Sequence, residues 1–149
     1  MATWEKYKED FILLTEAGFI AVNQQDENSA IRLFNAAIML NPKEPLPLIG
    51  KGYIHFLKLE IPQAIAVFEL VLKQHPNNEM AKAYLGLATS FAPGQADKGE
   101  KILEEVMKKS HNEPLKKMAD SACSFVEKFV KKPVSPAALQ APAKKKKSR

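Results

Sequence analysis

One spacing constrains this chain more than any other feature: positions 29–76 carry the same pattern of small, aromatic and helix-breaking side chains twice. Ala30, Phe34 and Pro42 return as Ala64, Phe68 and Pro76, and Gly18, which precedes the first alanine, returns as Gly52. A repeat of this length holds one supersecondary unit, which cannot bury its apolar face alone and must stack on its neighbours. The order of small residue, small residue, large apolar residue and proline fits two antiparallel helices that approach closely before proline closes the second. A third copy is weaker. Leu85 and Gly86 arrive on the period, and the second-helix positions fall at Gly99, Leu103, Val106 and His111 once a single residue is inserted at 92–95.

In chain order the pattern reads as helix throughout. Thr3 stands where an N-cap is wanted, and Trp4, Tyr7, Phe11, Leu14, Gly18 and Ala21 follow at alternating spacings of three and four, a single stripe on a helix reaching about Asn23. This helix is longer than the repeat needs. Its extra turns carry Trp4 and Tyr7, which either cap the first repeat or meet a second copy of the chain. Residues 24–28 are turn-like, and 29–40 is the partner helix with Ala30, Ile31, Phe34, Ala37 and Ile38 inward, ended by Asn41-Pro42. A third helix opens at Pro45 or Pro47 and runs to about Leu59, and Pro62 opens the fourth, since proline is tolerated in a first turn whose N–H groups lack intrahelical acceptors. Asn77 or Asn78 caps a fifth helix over 79–91, Pro93-Gly94 marks a turn, and a sixth helix spans 96–110. A seventh, from about Pro114, puts Leu115, Met118, Ala122, Phe125, Val126 and Phe129 on one stripe, the terminal cap that a stacked array requires. The expected fold class is all-α: a superhelix of three helix-turn-helix repeats, about 11–44, 45–78 and 79–113, plus a capping helix at about 114–131. Together they make a domain over 1–131. Residues 132–149 hold Val134 and Leu139 as their only large apolar side chains and read as a disordered basic tail.

Charge is distributed unevenly. The 149 residues carry a net +5, yet residues 131–149 hold seven of the 22 basic groups and none of the 17 acids, so the remainder has two more acids than bases. A mildly acidic body has no electrostatic motive to bind nucleic acid. There is no run of about 18 apolar residues to span a membrane, and MATWEKYKED mixes both charge signs without an apolar core segment, which argues against a cleaved secretory signal. The single Cys123 has no partner for an internal disulfide, which makes a reducing cytoplasm the default compartment.

Catalytic patterns are missing. His55, His75 and His111 fall on different helices or turns with no Cys or carboxylate at metal-ligand spacing, and Cys123 has no neighbouring His to activate it. Glu104-Glu105 reads as a solvated helical face, and no glycine-rich phosphate loop occurs. Neither a catalytic site, a metal, a cofactor nor a small-molecule substrate is expected.

The informative positions are those that the first helix of each repeat turns toward the inside of the superhelix. Counted from the repeat frame they are Ile12, Thr15, Phe19, Val22 and Asn23, then Leu46, Ile49, Tyr53, Phe56 and Leu57, then Met80, Ala83, Leu87, Ser90 and Phe91. The wall is largely apolar and aromatic in all three repeats. We take Ile12, Phe19, Val22, Leu46, Ile49, Tyr53, Phe56, Leu57, Met80, Ala83, Leu87 and Phe91 as the expected partner-binding groove; the competing reading makes part of this set ordinary core.

The period, the helix-turn-helix offsets and the small residues at the crossings resemble the tetratricopeptide repeat (TPR). TPR modules that clamp acidic chaperone C-termini do so with Lys, Asn and Arg at inner positions; Thr15, Phe19, Ile49, Tyr53 and Ala83 stand there in this chain and exclude that mode. The run EAGFIAVNQQDENSAIRLFNAAIMLNP, with PLPLIGKGYIHF and AKAYLGLA after it, looks like the small three-repeat TPR chaperones of bacterial type III secretion, over about residues 11–110 and nearest the needle-subunit type. That resemblance implies a cytoplasmic bacterial protein whose groove holds an aggregation-prone helical subunit, needle or translocator, before export, commonly beside a small helical co-chaperone. The lysine tail and seventh helix depart from the shortest members. The alternative of a different class is a structural adaptor whose repeats scaffold an assembly, with the basic tail meeting acidic partners.

Overall fold

The computed structural model describes residues 4–131, apart from the side chain of Trp4. The expected Thr3 cap, the contacts of Trp4 and the basic tail at 132–149 lie outside the described residues. Within them the chain is all-helical: α1 (Trp4–Asn23), α2 (Glu27–Leu40), α3 (Leu46–Leu57), α4 (Ile61–Gln74), α5 (Glu79–Phe91), α6 (Ala96–Lys109) and α7 (Glu113–Phe125), the last continued by a π-helical turn at Val126–Val130. Connections of three to five residues force each helix to return antiparallel to the one before it.

The helix starts follow the local chemistry. Asp26, Asn78 and Asn112 each accept a backbone N–H from three residues on (Ser29, Ala81 and Leu115, at 3.1, 2.8 and 3.1 Å), which satisfies one orphan donor of α2, α5 and α7. Helices α3 and α4 instead place Pro47 and Pro62 in the first turn, and α7 has Pro114 there in addition to its cap. The expected end of α3 at about Leu59 is two residues late, because Leu59 takes a left-handed backbone conformation with φ 59°. The repeat frame explains where this happens. Gln25, one repeat earlier, has φ 61°, and the matching turn after α5 uses Gly94 with φ 70°. Turns 24–26 and 58–60 have three residues and turn 92–95 has four, which locates the inserted residue. Leu59 is exposed, and a leucine held in that conformation costs about 1–2 kcal/mol. Leu59→Asn should therefore raise the thermal midpoint, with a gain of roughly 0.5–1 kcal/mol in denaturant titration, since Asn tolerates the conformation and little burial is lost.

Three apolar clusters form the core along the stack. The first joins Ala21, Val22, Ala30, Phe34 and Ile54; the second Ile49, Ala64, Phe68, Val71, Ala81 and Ala88; the third Ala83, Leu103, Val106, Leu115, Ala119 and Ala122. In the first two repeats the large second-helix residue lies against glycine. A Cβ added to Gly18 would stand 2.5 Å from the Phe34 ring, and one added to Gly52 would stand 2.6 Å from the Phe68 ring, as the close-crossing reading required. The third repeat is built differently: Gly99 and Leu103 replace the Ala-Phe pair, and Gly99 rather than Gly86 makes the tightest approach, its added Cβ falling 2.4 Å from the backbone nitrogen of Ser90.

The curvature follows from which helices touch. Each helix packs on its chain neighbours; in addition α1 meets α3, α3 meets α5 and α5 meets α7, whereas among the described residues α2 does not meet α4, nor α4 α6. The stack thus closes on the side of α1, α3, α5 and α7, which line its inner face. The joint between the first two repeats is tied at the rim. Lys58 Nζ lies 2.9 Å from Glu27 Oε1 and 3.2 Å from Glu60 Oε1, and His55 Nδ1 lies 2.6 Å from Glu60 Oε2. The His55 hydrogen bond, with help from Lys58, holds the Glu60 carboxyl below its ordinary range.

Candidate partner-binding groove

The repeat frame sorts the twelve expected groove residues by fate. Positions 15, 49 and 83 form the seam where neighbouring first helices meet, and Thr15, Ile49 and Ala83 are all buried there, at 3, 1 and 0 % exposure. Thr15 satisfies its hydroxyl by donating to the Phe11 carbonyl at 2.8 Å. Ile49 packs with Phe68, Val71 and Ala88, and Ala83 with Leu103 and Leu115, so neither is open to a partner. Val22 is likewise core, beside Ala30 and Phe34. The corrections at Ile49, Ala83 and Val22 share one cause: contact between successive helices takes up part of each first helix's inner stripe. Leu46, Met80, Phe19, Tyr53, Leu87, Phe56 and Phe91 are half-buried, and Ile12 and Leu57 are exposed.

The half-buried rings fall into two groups. Phe19 meets the Phe34 ring edge-on at 5.0 Å, and Tyr53 lies 5.4 Å from Tyr84, which itself stacks on Phe68 at 5.6 Å. Those rings belong as much to the core as to the groove, and burial pushes the Tyr84 hydroxyl up in pKa. The second group runs along the inner face. Phe56 of α3 meets Phe91 of α5 edge-on at 5.5 Å, Phe91 stacks on Phe125 of α7 at 5.8 Å, and Phe125 lies 5.0 Å from Phe129. Phe125 and Phe129 remain 45 % and 50 % exposed. A continuous row of four rings thus crosses three helices and opens to solvent at its C-terminal end.

The apolar stripe puts Phe125 and Phe129 on the covered side of a capping helix; the structure leaves them on the surface. The signal that could have found the first of them is the period itself. Phe125 follows Phe91 by the same step as Phe91 follows Leu57. The residue inserted after α5 is taken back by the three-residue connection into α7, which returns that helix to the frame.

Two other surfaces adjoin the first repeat. A cleft of about 340 Å³ at the rim is lined by Val22, Gln25, Glu27, Ile54, Leu57 and Lys58. A wider, apolar one of about 600 Å³ lies between α1 and α2, lined by Tyr7, Asp10, Leu13, Leu14, Ala36, Met39 and Leu40. Among the described residues no group of His, Cys, Asp and Glu is arranged to hold a metal ion, and no helix is long and apolar enough to cross a membrane. Burial, together with the carboxylates of Glu100, Glu104, Asp120 and Glu127, pushes the Cys123 thiol up in pKa, the reverse of what a nucleophile needs.

No family model matches the chain. Over 75 residues, half of this chain, it is 36% identical to the RNA polymerase-associated protein CTR9 of Caenorhabditis elegans, a match that spans 6% of that much longer protein. The fold superimposes on the Arabidopsis OM64 TPR domain with a TM-score of 0.63 and 18% identity, over 80% of this chain and 96% of that one. The fold is TPR-like.

Proposed function

We propose that this protein is a non-catalytic protein-binding module in which the row Phe56, Phe91, Phe125 and Phe129 receives an apolar segment of a partner chain. The observation that carries this reading is the exposure of Phe125 and Phe129 at the open end of a contiguous aromatic row. Large rings left in water at a concave surface mark binding sites, and rigid aromatics in a desolvated pocket dominate interface energetics. An amphipathic helix laid along such a groove would anchor through residues at i, i+3, i+4 and i+7.

Within this function we place the adaptor reading first, since the chain shares 36% identity over 75 residues with a protein described as associated with RNA polymerase. A second reading, a chaperone for a secreted helical subunit, is favoured by the resemblance of 11–110 to the type III secretion chaperones and by the exposed rings, which suit an aggregation-prone client. Coexpression separates the two. A chaperone's client turns insoluble when expressed alone, whereas an adaptor's partner stays soluble and loses only its place in a complex.

Phe91→Ala and Phe125→Ala test the groove itself. Each should weaken a partner recovered with the wild-type protein by about 2 kcal/mol, roughly 30-fold in Kd, while Leu70→Ala, an exposed residue of α4, should leave it unchanged. Titration calorimetry beside circular dichroism reads both quantities. Folded Phe91→Ala and Phe125→Ala proteins that bind with wild-type affinity would remove the groove from consideration.

A further inference from the structure

A charge cluster between α6 and the C-terminal end of the described chain has no part in the groove as described so far. Lys131 Nζ lies 2.7 Å from Asp97 Oδ1 and 2.9 Å from Glu127 Oε1, and it also pairs with Glu100 Oε2. Asp97 and Glu100 belong to α6, and Glu127 to the π-helical turn that Lys131 ends. The Glu100 side chain is only 9 % exposed, and its Oε1 has no hydrogen-bond partner among the described residues. A carboxylate so placed depends on one cation for its compensation, because burying an unpaired charge is far costlier than the worth of most ion pairs. The three carboxylates raise the Lys131 pKa in turn. Val126, wholly buried, is the apolar contact of the same turn, and the Lys131 N–H bonds the Val126 carbonyl at 2.9 Å.

We propose that Lys131 is a latch: by neutralising Glu100 it fastens the turn 126–131 to α6, and so holds Phe125 and Phe129 in line with Phe91. That the latched row serves a partner rests on the groove reading above; the latch itself does not. Without the Lys131 cation, Glu100 regains hydration most directly by local opening, since only one π-helical turn and the end of α7 need move. The row would then lose its two exposed rings.

Cys123 supplies a reporter. It is the only cysteine, it is half-buried on α7, and it lies two residues before Phe125. Alkylation by iodoacetamide, a neutral reagent, should proceed about tenfold faster in Lys131→Met than in the wild type. Chemistry alone predicts the opposite sign: removing a cation from a thiol already surrounded by carboxylates lowers its thiolate fraction and slows the reaction. Acceleration therefore reads opening. Lys131→Arg, which keeps the charge, should react at the wild-type rate, as should the double variant Lys131→Met with Glu100→Gln, in which no buried charge is stranded. A wild-type rate in Lys131→Met overturns the latch. So does a fast double variant, or a Lys131→Met protein whose helix signal is lost, because the cluster would then support the whole fold and not one turn. None of these rates requires a partner, so failure of the latch and failure of the groove are told apart.

Discussion

Phe34→Ala is expected to cost about 4 kcal/mol and to lower the thermal midpoint by on the order of 10 °C or more. The ring is fully buried and is gripped on two sides by backbone: a Cβ added to Gly18 would stand 2.5 Å from it and one added to Gly50 2.4 Å from it. The cost of a large-to-small change depends on how well the surroundings close over the vacancy. Glycines have no side chains to swing inward, and Phe19 meets the ring only edge-on at 5.0 Å, so most of the space stays open and the cavity term is large. Phe68→Ala is the comparison. Its ring rests on Gly52 but is stacked by Tyr84 on another side, and a tyrosine can move into the space. The loss there should be smaller by about 1 kcal/mol. Urea titrations of both variants give the ranking, and a Phe68→Ala protein less stable than Phe34→Ala contradicts this account of the first crossing.

The same residues show which parts of the molecule are legible in the amino-acid sequence. Period and small residues are local signals that repeat, so the close crossings at Gly18 and Gly52 and the seven helices could be read directly, though not which ring lies against each glycine. The groove was legible only in part. A stripe of apolar positions says which face of a helix is buried or sticky, but not how closely the next helix will lie against it. That distance decides whether Ile49 and Ala83 become seam and whether Phe125 and Phe129 stay open. The end of α3 is not legible for another reason: nothing in the identity of Leu59, or of its frame-mate Gln25, announces a left-handed backbone, and only Gly94 at the matching turn does. Least legible of all was Glu100, one carboxylate on a helix rich in charge. Its partner Lys131 stands beyond the next helix, where the basic composition begins to read as tail.

Gly99→Ala should be the most damaging single methyl that can be added to this protein, at about 3 kcal/mol and on the order of 10 °C in thermal midpoint. What an added group meets decides the cost. At Gly18, Gly50 and Gly52 it meets a phenylalanine ring, Phe34 at the first two and Phe68 at the third, a side chain that can be displaced without moving a helix backbone. At Gly86 it meets the side chains of Leu103 and Ile102 at 3.0 and 3.1 Å and the Gly99 carbonyl at 3.2 Å, all of which need to give only slightly. At Gly99 it meets the Ser90 hydroxyl at 2.2 Å, the Ser90 backbone nitrogen at 2.4 Å and the Gly86 carbonyl at 2.6 Å. Backbone inside a helix cannot yield locally, so α5 and α6 must separate along their length. The displaced residue is Ser90, directly before Phe91, and it already commits its hydroxyl to the Gly86 carbonyl at 2.8 Å, which leaves the crossing no slack. Two effects should therefore travel together. The Gly99→Ala protein should melt early, and at a temperature where it is still fully helical it should bind its partner more weakly, because Phe91 no longer aligns with Phe56 and Phe125. Gly86→Ala, one layer away, should show neither effect at comparable size. Thermal denaturation and calorimetric binding of the two variants side by side provide the check. Equal midpoints would mean that the third repeat tolerates separation of its helices, and that the close approach at Gly99 is not what positions the aromatic row.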